Sequence, residues 1–270
     1  MVSFSYAVVR ASVMLAGVSQ GSCQQGTRTV NVNVLTVTPS HEFQKVDPSF
    51  PGFAFEEASF YAYSFDTQGQ PNTLSQNLVN SVLKRTGGTP LLRVGGTSGD
   101  HGTFNSSQKE PTNFPATKFR PQFREGVTIS ASFFEAFENW PGAKFEFMVP
   151  FRNTSYSNSV QWAKTGLRHI GRENLYTLEI GNEPNFYSWF HVPEYVKRYI
   201  SFQDDLKKEV PFFGSNLTLQ DKHGEIDFAF TETGYNVQGG TGTRDSNLAT
   251  ALWAVDFQLY CMTVNVTRVN

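Results

Sequence analysis

The sequence predicts an α/β fold, most simply a (β/α)8 barrel of the TIM type, and three observations predict it. Short apolar runs alternate with segments of helical spacing from Phe53 onward. Two of those runs end in a carboxylate, Leu178-Glu179-Ile180-Gly181-Asn182-Glu183-Pro184-Asn185 and Phe230-Thr231-Glu232-Thr233-Gly234-Tyr235. The 270 residues hold one such barrel with little left over.

Residues 1–22 precede that pattern and resemble a secretory leader, apolar over Tyr6-Ala7-Val8-Val9 and Ser12 to Val18, interrupted by Arg10 and with a small-residue exit near Ser22. Thr29-Val30-Asn31-Val32-Asn33-Val34-Leu35, within 28–38, alternates apolar with polar as a half-buried strand does, and it stands apart from the strand-helix alternation. The barrel segment is expected over 48–270. Phe53-Ala54-Phe55 is its first strand. Leu74, Leu78, Val79, Val82 and Leu83 then fall at helical spacing before a stop at Gly87. Pro90 to Val94 is the second strand and Ser132 to Trp140 the helix after it. In that helix Phe133, Phe134 and Phe137 read as core. Lys144 to Val149 is the third strand; Val160, Ala163, Leu167 and Ile170 mark the helix behind it, ended by Gly171. Tyr176 to Ile180 is the fourth. Pro193 opens a helix carrying Val196, Tyr199, Ile200 and Leu206, since proline at a first helical position gives up no needed hydrogen bond. Phe212-Phe213 reads as a fifth strand and Ile226 to Phe230 as another. Leu248, Ala251, Leu252, Val255 and Leu259 mark a last helix.

A formal net charge of -2, with no long charge run, argues against a nucleic-acid partner or an anionic membrane surface. No apolar run approaches the roughly 20 residues of a spanning helix. Sequons at Asn105, Asn153, Asn216 and Asn265 fit the leader and a secreted, extracellular glycoprotein. Two cysteines, Cys23 and Cys261, are too few for a disulfide framework. The five histidines lack metal-ligand spacing, so neither a metal nor a cofactor is expected. Gly17-Val18-Ser19-Gln20-Gly21 has the letters of a serine-hydrolase elbow but no strand before it, and Gly240-Thr241-Gly242 is too short for a dinucleotide loop.

In a barrel of this kind catalytic groups sit at the carboxyl ends of strands, where Glu183 and Glu232 both fall. Glycosidic bond cleavage needs two carboxylates, one to donate a proton and one to attack or to activate water. Glu183 reads as the acid/base: Gly181 lets the backbone turn, Asn182 sets an amide beside it and Pro184 stiffens the exit. The plainer reading of either glutamate is a solvated loop end or cap. Trp189 and Phe190, just beyond, are candidates for a sugar platform.

Arg93-Val94-Gly95-Gly96 with Asp100, then Leu178 to Asn185, then Thr231-Glu232-Thr233 leading to Ala251-Leu252-Trp253-Ala254-Val255-Asp256-Phe257-Gln258-Leu259-Tyr260, resemble glycoside hydrolase family 79. That family contains β-glucuronidases and heparanases, and the fungal β-glucuronidase branch is the part most like this chain. The resemblance covers roughly residues 28 to 270 apart from one gap. It implies a retaining enzyme acting on glycans that end in β-linked glucuronic or 4-O-methylglucuronic acid, with Glu183 as acid/base and Glu232 as nucleophile. It further implies Asn182 at the sugar's 2-hydroxyl, Asp100 and Tyr235 near the glycone, and Arg93 supporting the nucleophile. For Arg93 a structural salt bridge under the barrel mouth is the other reading. A monomer is expected.

The chain departs from that pattern. Glu183 and Glu232 lie 49 positions apart. At roughly 30 residues per strand-helix unit, the end of a fourth strand and the end of a seventh are about 90 apart. Gly214 to Glu225 is polar where the family would place a helix, the sixth strand and another helix. An incomplete barrel is therefore expected, lacking its sixth strand and the end of its eighth, and the strand at 28–38 matches an accessory β-domain that is otherwise absent. The alternative function is an inactive remnant that at most binds sugar.

Overall fold

The computed structural model describes residues 47–113, 126–152, 154–210, 228–230, 248–263 and 266–269, all within the compact unit Val46–Asn270. The expected leader, the strand over 28–38, Phe212-Phe213, Glu232 and Tyr235 lie outside these residues.

Four strands form a parallel sheet whose spatial order is their chain order: β1 (Gly52–Glu56), β2 (Leu91–Gly95), β6 (Lys144–Val149) and β7 (Leu175–Ile180). Between β1 and β2 run α1 (Glu57–Ser64) and α2 (Thr73–Thr86). After β2 come the short α3 (Thr97–Asp100) and a small second sheet, β3 (Thr103–Phe104), β4 (Thr112–Asn113) and β5 (Thr128–Ile129), in the order β3-β5-β4. A 3₁₀ helix, Ala131–Asn139, precedes β6. Helix α4 (Tyr156–Ile170) joins β6 to β7, and α5 (Val192–Glu209) follows β7. Further on, β8 (Phe228–Phe230) pairs in parallel with β9 (Val266–Val269), with α6 (Leu248–Thr263) between them in the chain. A parallel bridge joins Val269 to Pro51, just before β1, and the Val269 N–H donates to the Phe50 carbonyl. The last strand therefore stands beside the first, giving the neighbour order β8-β9-β1-β2-β6-β7. A mixed α/β molecule with a parallel sheet is what the alternating pattern predicts; barrel closure is not seen among the described residues.

Side chains alternate along each strand, and the parallel register puts partnered residues on one face. One face carries Phe53, Phe55, Leu92, Val94, Phe145, Phe147, Val149, Leu178 and Ile180. It packs into the main core with Phe133, Phe134, Phe137, Trp162, Ala163 and Leu167 from the helices. The ring of Phe137 meets those of Phe145 and Phe147 edge-on at 5.0 and 5.5 Å, an arrangement aromatic quadrupoles favour. The opposite face carries Ala54, Glu56, Arg93, Glu146, Met148, Thr177 and Glu179. Charged groups gathered on one face of a sheet need one another as partners, and that face holds the site.

The helices begin and stop where their caps dictate. Asn72 Oδ1 accepts the Ser75 N–H ahead of α2, and Ser155 Oγ accepts the Asn158 N–H ahead of α4. Gly87 ends α2 at φ 73°. Apolar spacing is a poorer guide to burial. In α2 Val79 is buried while Leu74 and Leu78 are exposed, and Val196, Ile200 and Val255 are exposed on their helices. Helical period fixes which residues share a face but not which of two overlapping faces meets the sheet. None of the described helices is long and apolar enough to cross a membrane.

Candidate active site

The carboxyl ends of β2, β6 and β7 converge on one hydrogen-bonded network. Arg93, almost wholly buried on β2, donates through Nε and Nη2 to the two oxygens of Glu179 on β7 at 2.8 and 2.9 Å. Its Nη2 also donates to Asn182 Oδ1 at 2.9 Å. A fork of this kind holds both partners in fixed orientation, and removing either leaves an uncompensated buried charge. Arg93 thus makes the structural salt bridge that is one of its two readings; its other expected partner, Glu232, is not among the described residues.

Asn182, held by Arg93 through its oxygen, turns its amide nitrogen toward Glu183 Oε2 at 3.3 Å and Thr97 Oγ1 at 3.4 Å. Its backbone N–H donates to the Tyr187 hydroxyl, which in turn donates to Asp100 Oδ2 at 2.7 Å. Asp100 Oδ1 accepts the N–H groups of Phe151 and Arg152, just past the end of β6. Asp100 is therefore buried and spent on holding two strand-end loops together. Burial, and after it the Asp100 charge, push the Tyr187 phenol far above its ordinary range. Tyr187 is not legible in the sequence, because nothing in local spacing reveals a bond to a residue 87 positions away.

Glu183 is exposed at the mouth of this network, ahead of the 3₁₀ turn Pro184–Phe186. Its backbone lies at φ 45° and ψ 61°, in the left-handed region, as no other non-glycine among the described residues does. For a residue with a Cβ this costs about 1–3 kcal/mol, and such strain gathers at functional positions. Gly181 before it has φ 75°, and a Cβ there would collide with the Tyr187 hydroxyl and Phe151. The turn that aims Glu183 is thus fixed by Gly181, by Pro184 and by the Tyr187 bridge.

Trp189 donates its indole N–H to the Arg152 carbonyl, and the Arg198 guanidinium lies over its ring at 4.6 Å. One face of the expected platform is therefore covered by a cation. Phe186, beside Glu183, is the exposed ring of this loop.

At the end of β1, Glu56 accepts the Ser98 N–H, and Glu57 is wholly buried. Burial first, then the Glu56 charge, raises the Glu57 carboxyl well above the usual range; Arg93 acts the other way and Glu179 adds to the rise. Neither glutamate stands out in the sequence. Among the described residues no cluster of three or more His, Cys, Asp or Glu is placed to hold a metal ion.

Comparison with known proteins bears on this arrangement. No family model matches the chain. A β-glucuronidase of Neurospora crassa is 26% identical over 174 residues, covering 59% of this chain and 29% of that protein. A β-glucuronidase of Aspergillus niger is 24% identical over 161 residues, covering 58% of this chain and 30% of its own length. The chain is a relative of the fungal β-glucuronidases. It spans about three-tenths of their length. A 4-O-α-L-rhamnosyl-β-D-glucuronidase from Fusarium oxysporum, solved with Rha-GlcA, has the same fold over 64% of this chain and 38% of its own, with a TM-score of 0.53 and 21% identity. The likeness to fungal β-glucuronidases agrees with the family 79 resemblance read from the motifs.

Proposed function

We propose that the chain is a retaining glycoside hydrolase that removes terminal β-linked glucuronic or 4-O-methylglucuronic acid from glycans, outside the cell, on a (β/α)8-type frame. The observation that carries this reading is Glu183, presented on strained backbone at the end of a parallel strand and braced by Asn182, Arg93 and Glu179. Two relatives are named β-glucuronidases, which supports the substrate class.

The chemistry follows from two carboxyl groups about 5 to 5.5 Å apart. Glu183 protonates the glycosidic oxygen as the bond to the leaving group breaks, while Glu232 attacks the anomeric carbon and forms a glycosyl ester. Water, deprotonated by Glu183, then cleaves that ester and releases the sugar with its original anomeric configuration. Asn182 offers its amide nitrogen, now held by two long hydrogen bonds, to the 2-hydroxyl. Asp100 and Arg93 serve by fixing the loops and Asn182; Tyr235 contacts the glycone.

Release of glucuronic acid from a chromogenic β-glucuronide by the purified chain tests this. The wild type is expected to turn over, and Glu183→Gln and Glu232→Gln each to lose about a hundredfold or more of kcat. Saturable binding of glucuronate, followed by Trp fluorescence, without any release would replace the enzyme by a sugar-binding remnant.

A further inference from the structure

Glu57 lies at the junction of β1 and α1 with no exposed surface, and neither carboxyl oxygen has a hydrogen-bond partner. It is walled in by Gly99, where an added Cβ would come within 3.3 Å of Glu57 Oε2, and by Met148 beyond. The charged groups acting on it are Glu56 on β1, Arg93 on β2 and Glu179 on β7. The other acids on elements packed against α1 face elsewhere: Asp100 is bound to Phe151, Arg152 and Tyr187, while Glu135 and Glu138 are exposed, and the cations Lys84 and Arg85 close the far end of α2. A carboxylate buried without a partner and beside two other acids is far costlier than the neutral acid. The nearby cation, Arg93, already serves Glu179 and Asn182.

We propose that Glu57 is a proton-holding positioning residue: its carboxyl stays neutral while the site is assembled, and its ionisation draws Arg93 away from Asn182 and sets the alkaline limit of the working range. Neutral Glu57 makes no strong claim on the guanidinium, so Asn182 stays aimed at Glu183. Ionised, it becomes a second anionic acceptor, beside Glu179, competing with the neutral Asn182 oxygen for one fork of donors. The site part of this inference rests on the proposed function, whereas the proton held by Glu57 does not.

A carboxyl that holds its proton more tightly folded than unfolded gives stability that is full below the unfolded value of about 4.3 and lost as pH rises through the folded value. The thermal midpoint of the wild type is expected to fall from about pH 5 to 8, and to stay nearly level in Glu57→Gln and Glu57→Met, which remain neutral. In the same variants the alkaline fall of kcat/KM moves to higher pH, so that Glu57→Gln keeps its rate where the wild type has lost about tenfold. Parallel melting profiles would overturn the proposal whether or not glucuronide is released; divergent profiles with no release would sustain it and remove the enzyme reading instead. Should neither variant fold, difference infrared spectra of the wild type decide. A protonated carboxyl band persisting well above about pH 4.3 sustains the proposal, and its loss with the ordinary acids overturns it.

Discussion

Glu183 pays for its aim in backbone strain, and that cost is measurable. Asparagine tolerates the left-handed region better than glutamate, so Glu183→Asn is expected to raise stability by up to about 1 kcal/mol while abolishing glucuronide release. Denaturant unfolding beside the chromogenic assay checks it; a variant no more stable than the wild type would mean that the φ of 45° is relaxed by neighbours rather than held against a cost. Glu183, Asn182, Arg93 and Asp100 are brought together in the sequence by the family 79 resemblance of their motifs, and in the structure one chain of hydrogen bonds joins them. Their other bonding partners are not legible in the sequence. The Arg93 fork to Glu179 and the Tyr187 bridge to Asp100 join residues 86 and 87 positions apart, and such pairings are set by the tertiary arrangement of strand ends and loops rather than by neighbours in the chain.

At the scale of elements, periodicity locates most strands and helices while their surroundings decide burial. The strand Lys144–Val149 and the helix with Val160, Ala163, Leu167 and Ile170 agree with the spacing because one side of each carries nearly all the apolar groups. Helix α1 has no such signature: no side-chain cap or proline announces a helix over Glu57–Ser64. The 3₁₀ helix Ala131–Asn139 buries Phe133, Phe134 and Phe137 as expected of core. Phe137→Ala is therefore predicted to cost about 3–5 kcal/mol. Leu78→Ser, on the exposed side of α2, should change stability by less than about 0.5 kcal/mol. Equal effects in urea unfolding would mean that Phe137 and Leu78 are buried to the same degree, against their opposite positions in the fold.

At the scale of the whole molecule, β9 beside β1 is the relation that links the end of the pattern to its beginning. The fold class is legible because alternating strands and helices leave few topologies, and the parallel order β1-β2-β6-β7 is the simplest of them. An eighth strand is also expected near Val264 to Asn270, where β9 lies. Closure depends on what partners β7 and β8 on their outer sides, and the short interval between Glu183 and Glu232 is where local pattern gives least guidance. Double displacement requires that those two side chains act on one sugar. A glucuronide fluorinated next to the anomeric carbon, with a good leaving group, slows release of the glycosyl ester and leaves the sugar on the nucleophile. Peptide mass spectrometry of the treated chain is predicted to find a single glycosyl adduct on Glu232, formed also in Glu183→Gln because a good leaving group departs without a proton, and absent from Glu232→Gln; an adduct on another residue, or none under conditions where the substrate is hydrolysed, would contradict it.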